Sequence, residues 1–141
     1  MSYSKIKSFA KINLALNITG KSHSMHKIES IVSFLDLHDR ILIKQIKNKN
    51  HKIIFRGLFK KNVKKRNTIS RLLEILEKKK FLQNSKFEII VKKDIPSKAG
   101  LGGGSMNAAS ILKFLMKKGF VNISKKEIIK VTNSIGSDVI L

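Results

Sequence analysis

The chain has 141 residues, 42% of them hydrophobic, which suits one packed domain, and it carries no cysteine, which excludes a disulfide framework and a thiolate metal site and suits a reducing, cytoplasmic setting. No apolar run approaches the ~20 residues of a membrane-spanning helix, and the opening "MSYSKIKSFAKINLAL" lacks the long apolar stretch of a signal peptide. The formal net charge of +21 raises the possibility of a polyanion partner.

In chain order, "KINLALNIT" alternates, with Ile12, Leu14, Leu16 and Ile18 on one face and Lys11, Asn13, Ala15 and Asn17 on the other. That is the period of a half-buried strand, and it puts Lys11 and Asn13 on the side away from the core. "GKSHSMH" reads as a loop. "KIESIVSFLDL" and "RILIKQI" read as two strands joined near His38 and Asp39, and "HKIIFRGL" as a weaker strand. The densest basic run, "KKNVKKR" at Lys60 to Arg66, could serve as a localisation signal, but its place between a strand and a helix makes it a solvated loop. A helix follows, with Ile69, Leu72, Leu73 and Leu76 in one stripe and Asn67 or Thr68 as its cap. "KFEIIVKK" alternates Phe87, Ile89 and Val91 against Glu88, Ile90 and Lys92, another strand. A second helix carries Ala108, Ile111, Leu112 and Leu115, has Lys117 and Lys118 in its last turn, and stops at Gly119. A third begins with Ser124 and Glu127 at capping-box spacing, carries Ile128, Val131 and Ile135, and stops near Gly136.

Strands, helix, strand, helix, helix is an α+β order rather than a regular alternation. With no internal repeat or linker, residues 1–141 read as one domain. Only Arg40, Arg56, Arg66 and Arg71 supply guanidinium groups, and the lysines are spread along the chain. Dedicated readers of phosphates and bases favour arginine. The charge therefore reads as a lysine-rich background that also attracts an anionic small molecule, and nucleic acid is not the expected partner.

The stretch "IPSKAGLGGGSMNAAS" places four of the chain's eight glycines in five residues, between a strand and a helix. Bare backbone there admits close approach of a ligand, and the free N–H groups and dipole of a helix N-terminus favour an anion such as phosphate. The P-loop pattern fails because Ser105 and Met106 follow Gly104 where Gly-Lys-[Ser/Thr] is needed. The dinucleotide fingerprint fails because Ser105 stands at its third glycine, and the first acid downstream is Glu127, in a cap.

Pro96-x-x-x-Gly100-Leu101-Gly102-Gly103-Gly104-Ser105 resembles the phosphate loop of the GHMP small-molecule kinases. "SFAKINLALNITGKSHSMHKIESIVSFLDLHDRI", "GGGSMNAA" and "NSIGSDV" resemble, in order from Ser8 to Val139, the branch that acts on 4-diphosphocytidyl-2-C-methyl-D-erythritol. The resemblance implies the α+β fold of ribosomal protein S5 domain 2. It implies transfer of phosphate from ATP to a hydroxyl of that cytidine diphosphate methylerythritol substrate, in the non-mevalonate isoprenoid route. Lys11 and Asp138 are then the catalytic pair. A carboxylate accepts the attacking hydroxyl's proton, and an ammonium lowers that hydroxyl's pKa and offsets developing negative charge. Pro96, Ser97, Lys98, Ala99, Gly100, Leu101, Gly102, Gly103, Gly104, Ser105 and Met106 bind ATP, with Asn67 near the adenine. Asn13, Met25 and His26 line the substrate pocket. No metal cluster is visible in the sequence, so magnesium is held through the ATP phosphates.

Three positions depart from the pattern. Met25 stands where the family usually has tyrosine, with no glycine just before it, so the ring face that would stack on cytosine is missing. Met106 replaces the second serine of the loop. The chain ends at "DVIL", where the family continues into a second half that completes the pocket. The expectation is an incomplete kinase sequence lacking its C-terminal domain. The alternatives are an inactive truncated remnant and a non-enzymatic basic RNA-binding module on an S5-like fold.

Overall fold

A computed structural model of the chain describes residues 2–23, 25–136 and 139, with Met25 described by its backbone alone. Strands β1 (Ser4–Ser22), β2 (Met25–Ile46), β3 (Lys52–Arg56) and β4 (Lys86–Lys92) form one sheet in the order β1-β2-β4-β3. The pairs β1·β2 and β2·β4 are antiparallel, and β3·β4 is parallel. Helices α1 (Thr68–Lys78), α2 (Gly103–Lys117) and α3 (Lys125–Ile135) pack together on one face of that sheet. The α+β expectation therefore holds.

The alternations and helical stripes explain the core. Phe87, Ile89 and Val91 of β4 join Ile41 and Ile43 of β2 beneath Ile69, Leu72, Leu73 and Leu76 of α1 and Ala108, Ile111, Leu112 and Leu115 of α2. Val131 and Ile135 of α3 close the same cluster. Asn67 rather than Thr68 caps α1. Its Oδ1 accepts from the N–H groups of Ile69 and Ser70 at 3.0 and 3.1 Å, and Ser70 Oγ returns the bond to the Asn67 N–H. Ser124 and Glu127 form the capping box of α3.

Two strand expectations are corrected. Residues 25–46 form one continuous strand, not two strands joined at His38 and Asp39. Beyond Lys11, β1 and β2 run on as a two-stranded ribbon whose apolar side chains no described helix covers. Leu14, Leu16 and Ile18, expected to face the core, are accordingly 63%, 52% and 66% exposed. Lys11, expected to face away from it, is 5% exposed.

Among the described residues, the other face of the sheet carries no helix. Lys7, Arg40, Lys92 and Arg56 lie directly opposite one another across all four strands and are exposed. Part of the +21 charge is thus concentrated in one row. The expected basic loop at 60–66 holds a single 3-10 turn at Lys60–Asn62 and is largely exposed.

Candidate functional site

β1 and β2 fall out of step between Phe9 and Lys11. At that irregularity the Lys11 N–H donates to Leu101 O at 3.0 Å, tying the strand to the glycine loop. The Lys11 side chain runs beneath Gly102. A Cβ on Gly102 would sit 3.0 Å from Lys11 Cγ and 3.2 Å from Cε, and Gly102 has φ +67°. Glycine is needed there for conformation and for contact alike. Lys11 Nζ reaches Asn13 Oδ1 at 3.4 Å, and that oxygen also accepts from Ser30 Oγ at 2.9 Å.

The loop then turns into α2. Gly102 is its N-cap and no side chain caps it, so the first-turn N–H groups remain available to a ligand. Gly103 is buried. A Cβ on it would meet Ile95 Cγ2 at 2.9 Å and Lys93 Nζ at 3.1 Å. Thr68 Oγ1, at the start of α1, donates to Gly104 O at 2.6 Å and locks the two helix starts together.

Between this loop and the segment 62–69 lies an open cleft of about 400 Å³. Pro96 to Ser105 form one wall, and Val63, Lys64, Arg66, Asn67 and Thr68 stand in the other. Lys64, Arg66 and Lys98 give it positive charge. An uncapped helix start, bare glycine backbone and flanking cations make this an anion site large enough for a nucleotide. The buried Oδ1 of Asn107, which lines the cleft, has no hydrogen-bond partner among the described residues.

The base of the loop rests on a carboxylate that sequence reading assigned to a strand junction. Asp39 is fully buried. Its Oδ1 accepts from the N–H groups of Asp94 and Ile95 at 2.8 Å each. Its Oδ2 accepts from Asn107 Nδ2 at 2.8 Å and pairs with the ammonium of Lys93. Lys93 and Asn107 also line the cleft. Nothing local in the sequence marks these three residues, which come together only across the fold.

Of the residues expected from sequence, Lys11, Asn13 and the loop from Pro96 to Ser105 are assembled around one corner. Asn67 stands in the cleft wall, but its amide serves the helix. Besides the two cap bonds, its Nδ2 donates to Lys64 O and Lys65 O. Met106 turns away from the cleft and lines a separate groove between β1 and α2. His26 is exposed and pairs with Lys21 at the far end of the ribbon, where Met25 pairs with Ser22. The structure does not bring His26 to the glycine loop. Asp138 lies outside the described residues. Gly136 packs on the loop, since a Cβ there would lie 3.1 Å from Ser105 Oγ.

Comparison with known proteins gives consistent matches. Residues 67–140 match the family model of the GHMP kinases N terminal domain. The 4-diphosphocytidyl-2-C-methyl-D-erythritol kinase of Pelagibacter ubique (strain HTCC1062) is 61% identical over 137 residues, covering 97% of this chain and 49% of that protein. The enzyme of the same name from Thermosipho melanesiensis is 37% identical, covering 95% of this chain and 46% of that protein. The chain thus spans about half the length of the curated relatives it matches. Among solved structures, a 4-(cytidine 5'-diphospho)-2C-methyl-D-erythritol kinase superposes with a TM-score of 0.72 at 23% identity, over 96% of this chain and 47% of that one. The homoserine kinase from Cytophaga hutchinsonii gives 0.60 at 19% identity, over 91% and 39%. At those identities the structural likeness speaks to the fold.

Proposed function

Because this chain belongs to the GHMP kinase family, we propose that it is the nucleotide-binding half of a kinase for 4-diphosphocytidyl-2-C-methyl-D-erythritol. The carrying observation is the corner where Lys11 passes beneath Gly102 at the uncapped start of α2. The cleft's cations and first-turn N–H groups would hold the phosphates of ATP, which supplies the γ-phosphoryl group when bound. Magnesium would be held through those phosphates. Among the described residues no group of three His, Cys, Asp or Glu could hold a metal.

Lys11 is the one catalytic ammonium in this reading. Packing of its stem under Gly102 and the bond to Asn13 fix Nζ at the mouth of the loop, where it stabilises charge on the attacking hydroxyl or the transferring phosphoryl. Asp138 is proposed as the base that takes the hydroxyl proton. Asn13, Met25 and His26 are proposed for the substrate side, which the second half of a family-length protein would complete. Residues 1–141 are the first domain. No helix among the described residues is long and apolar enough to cross a membrane, and we place the enzyme in the cytoplasm.

The test joins residues 1–141 to the remaining half of the Pelagibacter ubique relative and follows ADP release. Release that depends on the methylerythritol substrate, and falls about 10²–10³-fold in Lys11→Met, is the expected result. A folded, ATP-binding fusion with no substrate-dependent release would overturn the reading.

A further inference from the structure

We infer that Asp39 is a positioning residue that clamps both ends of the glycine loop. The inference rests on the nucleotide reading of the cleft for its consequence, though not for its geometry. Asp94 and Ile95 stand just before the loop, and Asn107 lies in α2 just after it. Their three hydrogen bonds, each 2.8 Å, converge on one carboxylate from a third element, β2. The segment that wraps the ligand is therefore tied at its two ends to a single point in the sheet.

Stability does not explain this arrangement well. Asp39 and Lys93 are both buried, at 0% and 3% exposure. Removing such a pair from water costs energy that its mutual attraction often fails to offset, and apolar replacements of buried pairs are often as stable or more so. What the carboxylate does provide is geometry. Two oxygens accept four donors, which fixes the loop's entry, its exit and the Lys93 ammonium at once. That ammonium comes within 3.1 Å of where a Gly103 Cβ would stand, so its placement also sets the floor of the helix start. Asp39 touches no ligand in this scheme and acts through the backbone it holds.

The test uses the fusion of residues 1–141 with the second half of the Pelagibacter ubique relative and compares wild type with Asp39→Asn. Asparagine keeps an acceptor for the two loop N–H groups, but presents a donor to Asn107 and leaves Lys93 without its counter-charge. ATP affinity is expected to fall at least tenfold. Amide exchange is expected to speed up in residues 94–107 while 69–76 and 87–91 stay protected. Loss of protection throughout the chain, or ATP affinity within twofold of wild type, overturns the inference. If Asp39→Asn does not fold, Asn107→Ala decides, because it leaves the Asp39–Lys93 pair intact. It is expected to speed exchange in the first turns of α2 and to spare Asp94 and Ile95. Unchanged exchange at α2 overturns the clamp. A wild-type fusion that binds no ATP removes the kinase reading, while local loss of protection in 94–107 of the variant still upholds the clamp.

Discussion

Two neighbouring glycines offer the sharpest check on the site's geometry, because the same substitution should act in opposite directions. In Gly103→Ala the new methyl would lie 2.9 Å from Ile95 Cγ2, 3.1 Å from Lys93 Nζ and 3.3 Å from Ile95 Cβ. Ile95 is fully buried and its N–H is held by Asp39, so it has little room to yield. Overpacking of this kind costs about 1–3 kcal/mol. In Gly104→Ala the nearest atom is Thr68 Oγ1 at 3.5 Å, an ordinary contact. There the loss of glycine's chain entropy should stabilise the helix by up to about 0.5–1 kcal/mol. That gain is common to both variants, so the two should differ by the overpacking alone, about 1–3 kcal/mol, Gly104→Ala being the more stable. Urea unfolding read by circular dichroism measures this, since equal slopes let midpoints be compared directly. Equal midpoints, or Gly103→Ala the more stable, would refute the packing described for the loop.

Lys92 stands between Arg40 and Arg56 on the open sheet face. Lys92→Glu should stabilise the fold by about 0.5–1 kcal/mol by replacing like-charge neighbours with opposite ones, and the same urea titration reads it. His51 is held down to about 4 from 6.5, first by burial and then by Lys86. Its Nδ1 accepts from the Phe87 N–H at 3.0 Å, while Glu77 Oε1 lies 3.1 Å from Nε2 without hydrogen-bond alignment. Below pH 6.5 the unfolded chain takes up a proton that the folded one refuses until about pH 4. Stability should therefore fall as pH drops through that window, and His51→Ala should flatten the slope above pH 5. Glu88 is held to about 2, chiefly by the Tyr3 hydroxyl and then by Lys52 and Lys44. Tyr3→Phe should raise that carboxyl toward its ordinary value, seen by NMR titration. Asn67→Ala removes both cap bonds of α1 and should cost about 1 kcal/mol.

Local chemistry in the sequence determined the pieces that depend on near neighbours. The stripes of α1 and α2, the Ser124–Glu127 box, the alternation of β4 and the glycine loop before a helix are all written within a few residues, and the fold keeps each. Lys11 was legible only through the motif around it. Its local alternation pointed it away from the core, and it lies buried because β1 slips register at Phe9 and meets the loop. The apolar face of "NLALNI" shows why alternation alone is insufficient. Period two says that one face is apolar, but whether anything covers that face depends on where the helices pack, and none of the described helices covers the ribbon. Asp39 is the clearest case. A polar residue beside His38 reads as a break in a strand, because a buried carboxylate without partners would be intolerable. Its partners exist, but they lie 54 to 68 residues away in sequence. Only the tertiary structure brings those donors to the strand and turns an apparent turn residue into the fixed point beneath the loop.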